Sequence, residues 1–261
     1  DWRQALSWRP FSAFLVLGAG GMLASSEWIY WEALSLMIGT FGQIPLSVHT
    51  IPTQVLTVCF MVPFGWGIAV AIRLGYALPL SVKLAQRLVK DCLLVGATVF
   101  AMIVVAMYAG RHTVFSWFTK HQDVISGCEE IWWMVCIYAF NLGIFAILMG
   151  ICIGLGKQWL LGVTTLIVLW IFGLPGAYYL SVVRRGGLYA AWMTVWPPYM
   201  LINFILTVTI VRADWDKIAA NVRTREAETA LHLLDSQGNA RVHEYGATLL
   251  VRPLNGNHLK V

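Results

Sequence analysis

Long runs without a charged side chain constrain this sequence more than any other feature. No Asp, Glu, Lys or Arg occurs between Glu32 and Arg73, and the sequence has four further uncharged runs, at Cys92–Gly110, Ile131–Gly156, Gln158–Val183 and Gly186–Val211. A helix needs about 20 predominantly apolar residues to cross a hydrocarbon core about 30 Å thick. A soluble helical protein would need a polar face on such segments, and these runs do not supply one.

The overall composition agrees with a membrane protein. The chain is 59% hydrophobic and 12% charged, with a mean hydropathy of +0.70, whereas a soluble domain carries roughly 25% charged residues. Backbone groups in lipid must be hydrogen-bonded within the segment, which favours helices. We therefore predict an all-α polytopic membrane bundle of about six transmembrane helices over residues 1–212, with spans at about 11–39, 48–72, 89–110, 131–154, 159–183 and 188–211.

Several prolines lie inside or beside these spans. Because the backbone of a lipid-spanning segment must stay hydrogen-bonded, we expect these prolines to bend the helices rather than to interrupt them. They are Pro52, Pro63, Pro175, Pro197 and Pro198.

Basic residues near the span ends predict the orientation. One set of loops holds the larger group, Arg3, Arg9, Arg73, Lys83, Arg87, Lys90, Lys157, Arg212, Lys217, Arg223 and Arg225; the opposite set holds Arg111, Lys120, Arg184 and Arg185. The basic excess favours the cytoplasmic side. We therefore expect a multi-pass protein with both termini in the cytoplasm and residues 213–261 as a cytoplasmic amphipathic helix and tail. The basic residues flank lipid-spanning helices, so no nucleic-acid partner is expected.

The residues that usually carry catalysis lack the necessary spacing. The five cysteines form no CxxC pair, and the six histidines form no HExxH or other metal-binding pattern. The segment from Gly154 to Gln158 resembles a phosphate loop, but Ile151 stands where that loop needs a glycine, and no Ser or Thr follows Lys157. We predict no enzyme activity, no cofactor and no metal.

The first span carries two glutamates, Glu27 and Glu32. An ionisable group at membrane depth costs at least about 2.5 kcal/mol, so it usually faces the bundle interior or a wet cavity. There a carboxyl group can bind and release a proton, and the aromatic rings of Trp28, Tyr30 and Trp31 can attract organic cations. The alternatives are that Glu27 only hydrogen-bonds a neighbouring helix and that Glu32 lies at the outer interface.

A series of motifs resembles one family. The segment Glu27-Trp28-x-x-x-Glu32 is similar to the EWW-x-x-E segment in the seventh helix of multidrug and toxic compound extrusion (MATE) transporters, especially the eukaryotic branch. Further similar segments follow in order: His49–Ile51 and Phe60–Ala69, Arg73–Leu78 (similar to a family loop), Gly150–Gln158, Gly173–Pro175 and Asp214–Lys217. The resemblance implies the C-terminal lobe of a transporter of the MOP superfamily that exports organic cations by antiport with H⁺ or Na⁺. The implied partners are the lipid bilayer, the small organic cation, the coupling ion and an N-terminal six-helix lobe.

Departures from the family pattern leave alternatives open. Where the family often has a further acidic residue in its tenth helix, the nearest polar residue is Asn141, which favours H⁺ over Na⁺ because Na⁺ prefers charged oxygen ligands. The chain resembles only one lobe, so it is either a fragment or a natural half-length protein. A degenerate half-transporter or membrane scaffold, and a lipid-linked glycan flippase of the same superfamily, are the alternative functions. The plasma membrane and the membrane of a vacuole or other acidic organelle are equally compatible.

Overall fold

The computed structural model describes residues 11, 12, 15, 18, 19, 22, 23 and 26–237, and the described residues are mainly helical, with no strand among them. From Ser26 onward we number the helices in chain order. They are α1 (Ser26–Gly39), α2 (Gln43–Leu80), α3 (Val82–Ala109), α4 (Arg111–Phe118), α5 (Gln122–Gly154), α6 (Gln158–Val183), α7 (Gly187–Val211) and α8 (Trp215–Gln237). The predicted tail beyond residue 237 lies outside the described residues.

Five of the described helices, α2, α3, α5, α6 and α7, are long and apolar enough to cross a membrane. They match the last five predicted spans, while α1 forms the second half of the first predicted span. The described residues before Ser26 are also helical, but much of that stretch lies outside the described residues. The expected all-α membrane bundle is therefore confirmed.

The end of α2 differs from the sequence expectation. The predicted span ends at residue 72, and Arg73–Leu78 resembles a loop of the family, yet α2 continues to Leu80. No residue between Arg73 and Leu78 prevents helix formation. The helix stops only at Ser81, whose extended backbone (φ −160°, ψ 124°) turns the chain into α3, and whose Oγ accepts a hydrogen bond from the backbone N–H of Leu84.

The prolines have two different effects. Pro52 and Pro63 lie inside the continuous helix α2, as expected, and Pro175 lies inside α6. In α7, however, α-helical structure stops at Met193 and resumes at Trp196, just before Pro197 and Pro198. The backbone N–H groups of Thr194 and Val195 in this gap bond to the third residue back instead, because a proline ring removes one helical hydrogen bond and clashes with the preceding turn. Gly187–Val211 still continues as one helical segment, so these prolines alter their helix locally without ending it, as expected.

Helix α5 forms the centre of the bundle. In its most apolar window 61% of the residues are buried, against 17% for α3, and α5 packs against α2, α3 and α7. The backbones of α2 and α5 approach each other at Gly67 and Gly150, where a Cβ on either glycine would overlap a carbonyl oxygen of the other helix. Small residues permit such close packing in membranes, where helix association depends on van der Waals contact.

Helix α8 packs against the ends of α2 and α3. Trp215 and Ala219 are buried in this contact, and Trp215 Nε1 donates a hydrogen bond to the carbonyl oxygen of Ile210. On the same helix, Arg223 Nε donates to the carbonyl oxygen of Pro79 at 2.7 Å. A basic side chain at the C-terminus of α2 satisfies a carbonyl group that the helix leaves without a partner.

Candidate functional site

A cavity of about 860 Å³ opens between α1, α2, α5 and α6. The acidic side chains of Glu27 and Glu32 line it, together with the aromatic side chains of Trp28, Trp31, Phe60, Phe64 and Tyr138. This volume lies within the range of small-molecule sites, which are usually apolar clefts with a few polar groups. The glutamates predicted from the sequence therefore border one common cavity.

Glu27 is half-buried and forms a specific contact across the bundle. The hydroxyl group of Tyr199, on α7, donates a hydrogen bond of 2.6 Å to Glu27 Oε1. This contact is as short as hydrogen bonds between a hydroxyl group and a carboxylate usually are. Glu27 thus has both a hydrogen-bond partner and a side that faces the cavity. The two sequence-based alternatives, a cavity residue and an interhelix contact, coexist in this side chain.

Trp31 extends the contact at Glu27. Its Nε1–H donates a hydrogen bond of 3.1 Å to the same Tyr199 oxygen that donates to Glu27. The ring of Tyr138 packs edge-on against Tyr199 at a centroid distance of 4.8 Å and lies 5.1 Å from the Trp31 ring. Aromatic packing from α1 and α5 therefore surrounds the Tyr199 hydroxyl group.

The other predicted residues of the first span differ in position. The side chain of Trp28 is 54% exposed, lines the cavity and meets Phe60 edge-on at a centroid distance of 6.4 Å. Glu32 is exposed at the cavity surface, and no hydrogen bond joins it to another described residue. Tyr30, in contrast, is completely buried and does not line the cavity. Trp28 and Trp31 on α1 line the cavity, while Tyr30 packs into the core near Gly173 of α6.

Asn141 also lies away from the cavity lining. Its Nδ2 donates to the carbonyl oxygen of Ile137, one turn earlier in α5, at 2.9 Å. Asn203 of α7 donates to the backbone carbonyl oxygen of Asn141 at 2.9 Å and to its side-chain oxygen at 3.5 Å. In this structure Asn141 links α5 to α7 rather than facing the cavity.

Sequence reasoning missed several residues of the site. Tyr199 lies 172 positions from its partner Glu27, and no local motif distinguishes Tyr138 from other polar residues of the spans. His49 also contributes; it begins the His49–Ile51 segment that resembles the family, but that resemblance assigned it no role. Trp31 was expected only as an aromatic face for a cation; its hydrogen bond to Tyr199 was not predicted, although Trp31 lies one turn after Glu27 on the same helix. No group of three or more His, Cys, Asp or Glu side chains that could hold a metal occurs within the described ranges.

The α2 wall of the cavity is polar, but its threonine hydroxyl groups already form hydrogen bonds within α2. The hydroxyl groups of Thr50, Thr53 and Thr57 each donate to a backbone carbonyl oxygen one turn earlier in α2. Gln54, in the same wall, is exposed. Glu27 and Glu32 therefore contribute the carboxyl groups of the described cavity lining.

Comparison with known proteins identifies relatives over most of this chain. A family model described as MatE matches residues 22–179. The "Multidrug and toxin extrusion protein 2" of the rabbit, Oryctolagus cuniculus, is 27% identical over 84% of this chain and 37% of the relative. An uncharacterized transporter of Schizosaccharomyces pombe is 25% identical over 83% of this chain and 40% of the relative. The chain thus spans about 37–40% of the length of these relatives.

Solved structures share the fold. A eukaryotic MATE transporter, AtDTX14, superposes with a TM-score of 0.78 at 19% identity, covering 84% of this chain and 51% of that chain. The Vibrio cholerae MATE transporter VcmN in its bent form superposes with a TM-score of 0.67 at 17% identity, covering 75% of this chain and 44% of that chain. In both cases this chain corresponds to about half of the solved structure.

Proposed function

This chain belongs to the MatE family, and from that premise we propose that it forms the C-terminal lobe of a secondary active transporter that exports organic cations in exchange for protons. The observation that carries this proposal is the position of Glu27. Its carboxyl group borders the cavity and also accepts the hydrogen bond from Tyr199. A carboxyl group with access to a cavity can bind either a proton or a cation, which is the minimal requirement of an antiporter.

The cavity supports an organic cation as the substrate. Its wall combines the two carboxyl groups with the rings of Trp28, Phe60 and Phe64. A cation near an aromatic face gains roughly 0.5–2 kcal/mol, more where water is excluded. An apolar cation would therefore place its charge near Glu27 or Glu32 and its hydrocarbon part against these rings. An anionic substrate, such as a lipid-linked glycan phosphate, would meet two carboxylates and no Lys or Arg in this lining.

In the proposed cycle the proton and the cation compete for Glu27. The ionised carboxylate attracts the cation, and protonation removes that attraction so that the cation can leave. The second lobe would close the cavity, and the two lobes would rock between two packings. A sodium-coupled cycle is less well supported because Asn141 does not join the two carboxylates at the cavity. We also propose that both termini face the cytoplasm, in the plasma membrane or the membrane of an acidic organelle.

The test is transport by the complete protein reconstituted in liposomes. Ethidium serves as the cation, and a pH-sensitive dye reports proton movement. We expect a pH gradient to drive ethidium uptake at least several-fold faster than a Na⁺ gradient of the same size, with protons moving in the opposite direction. Transport driven by Na⁺ alone would contradict proton coupling. The absence of ethidium transport under both gradients would contradict the antiporter and favour a degenerate lobe or scaffold.

A further inference from the structure

We infer that His49 is a positioning residue, which holds the Trp31 indole so that Trp31 strengthens the hydrogen bond between Tyr199 and Glu27. The inference deepens the proposed function, on which it rests. His49 lies on α2, outside the Glu27–Tyr199 contact, and its side chain is 1% exposed, in contact with the cavity. A histidine buried in an apolar span is costly unless its ring nitrogens or its ring faces contribute to a defined contact.

Two contacts from α1 define the orientation of the His49 ring. Its Nε2 lies 3.0 Å from Ser35 Oγ, at hydrogen-bonding distance. The ring also stacks on the Trp31 indole, with an interplanar angle of 17° and a centroid distance of 6.3 Å. Ser35 and Trp31 are four residues apart on one face of α1. The hydrogen bond to Ser35 therefore fixes the plane against which Trp31 stacks.

Four aromatic rings contact the Trp31 indole, those of Tyr30, His49, Tyr138 and Trp192. Tyr138 and Trp192 lie at centroid distances of 5.1 Å and 6.0 Å, with interplanar angles of 52° and 50°, and Tyr30 meets the indole edge-on at 6.1 Å. Among these four neighbours, His49 is the one that lies nearly parallel to the indole plane. A parallel contact resists tilting of the indole plane, and the direction of the Nε1–H toward Tyr199 depends on that plane.

The consequence for Glu27 follows from the chain of hydrogen bonds. Trp31 Nε1–H donates to the Tyr199 oxygen, and the Tyr199 hydroxyl group donates to Glu27 Oε1. A hydroxyl group that accepts one hydrogen bond becomes a better donor in the next, by about 10–30%. Trp31 therefore stabilises the carboxylate form of Glu27 through Tyr199. A displaced indole would weaken this effect.

The charged and titratable side chains around Glu27 show which contact favours its carboxylate form. Among the described residues neither a lysine nor an arginine lines the cavity, and α6 contributes neutral residues to it. The titratable side chains beside His49, Trp31 and Glu27 come from α1, α5 and α7, namely Tyr30, Glu32, Tyr138 and Tyr199. Because no Lys or Arg of the described part of the chain lines the cavity, the hydrogen bond from Tyr199 is the direct contact in that part that favours the carboxylate form of Glu27.

The experiment separates the effect of the His49 ring from the effect of the Trp31 N–H donor, and it uses the complete protein. His49→Ala removes both, His49→Phe keeps a ring against Trp31, and Trp31→Phe keeps a ring but removes the N–H donor. We expect Trp31→Phe and His49→Ala to raise the pH midpoint of ethidium exchange by about 0.1–0.7 pH unit each, as follows from a 10–30% loss in a charge-assisted hydrogen bond. His49→Phe should restore most of the wild-type midpoint. Tyr199→Phe, which removes the whole contact, should shift the midpoint further.

One double variant and one further single variant test whether His49 acts through Trp31. If His49 acts through Trp31, the double variant Trp31→Phe/His49→Ala should shift the midpoint no more than Trp31→Phe alone. Ser35→Ala should reproduce a part of the His49→Ala shift, since it removes the bond that orients the ring. His121→Gln, which changes an exposed histidine before α5, is the matched control and should leave the midpoint unchanged.

A second readout does not depend on transport. Infrared difference spectra, with Glu27→Gln as the reference, report the protonated Glu27 carboxyl group as the pH is varied, and the same shifts should appear there. If His49→Ala changes the KM for ethidium, or the number of protons exchanged per cation, without moving this infrared midpoint, the positioning role is overturned. If transport is absent in every variant but the infrared midpoint moves as expected, the positioning role holds and the antiporter proposal fails.

Discussion

Glu27→Gln is expected to reduce pH-driven ethidium exchange by the complete protein by at least about tenfold, since a hydrogen bond to a charged group contributes roughly 1.5–3 kcal/mol. The glutamine side chain has nearly the same shape and can still accept a hydrogen bond from Tyr199. It can neither ionise to attract the cation nor bind the exchanged proton. The residual ethidium flux should therefore become independent of the pH gradient, as measured by ethidium fluorescence and a pH-sensitive dye in the same liposomes.

Two other carboxyl groups provide matched controls for Glu27. Glu32 lines the same cavity but has no hydrogen-bond partner among the described residues, so Glu32→Gln should weaken ethidium binding and leave proton coupling in place. Glu130, exposed near the start of α5 and outside the cavity lining, should tolerate Glu130→Gln without a measurable effect. Exchange by Glu27→Gln at the wild-type rate, with the wild-type pH dependence, would exclude Glu27 as the coupling residue.

Gly150→Ala is expected to destabilise the bundle by about 3 kcal/mol or more, at the upper end of the cost of overpacking a well-packed core. A Cβ on Gly150 would overlap the carbonyl group of Gly67 in α2, which is backbone and cannot rotate away as a side chain could. The two longest helices of the described bundle would have to separate, with loss of contact along both. The measurement is the thermal stability of the purified protein in detergent, followed by size-exclusion chromatography after heating.

Gly65→Ala is the matched control for Gly150→Ala. Gly65 lies on α2, two residues from Gly67, but its Cβ would meet no atom within 4 Å. Alanine is the better helix former by about 1 kcal/mol, so this variant should be as stable as wild type or slightly more stable. Wild-type thermal stability of Gly150→Ala would show that the α2–α5 backbones are farther apart than described. The Gly67→Ala variant should behave like Gly150→Ala, because its Cβ would overlap the carbonyl group of Ala146.

The sequence predicted the spans better than the details of their ends. Uncharged runs of membrane length located α2, α3, α5, α6 and α7, since hydropathy depends on composition alone. The resemblance of Arg73–Leu78 to a family loop carried no information on whether the helical hydrogen bonds continue, and α2 runs on to Leu80. Prolines were also ambiguous: α2 continues through Pro52 and Pro63, whereas the α-helical hydrogen bonding of α7 is altered just before Pro197.

The candidate site was only partly predictable. Glu27 and Glu32 could be singled out because ionisable groups are rare at membrane depth. Trp28 and Tyr30 were grouped with them by proximity in sequence, yet Trp28 lines the cavity and Tyr30 is completely buried in the core. Which of two neighbouring aromatic residues faces the cavity depends on the rotation of α1 about its axis. That rotation is set by packing against α2, α6 and α7.

The sequence by itself determined that this chain is a multi-pass helical membrane protein and that the segment predicted as its first span carries two glutamates. Tertiary structure alone decided that Tyr199 hydrogen-bonds Glu27, that His49 stacks on Trp31 and that α2 meets α5 at Gly67 and Gly150. The physical reason is that the surrounding lipid is as apolar as the protein core. Lipid-facing and core-facing residues are both apolar in a membrane, so hydropathy fixes the length of each helix but neither its rotation nor its partners.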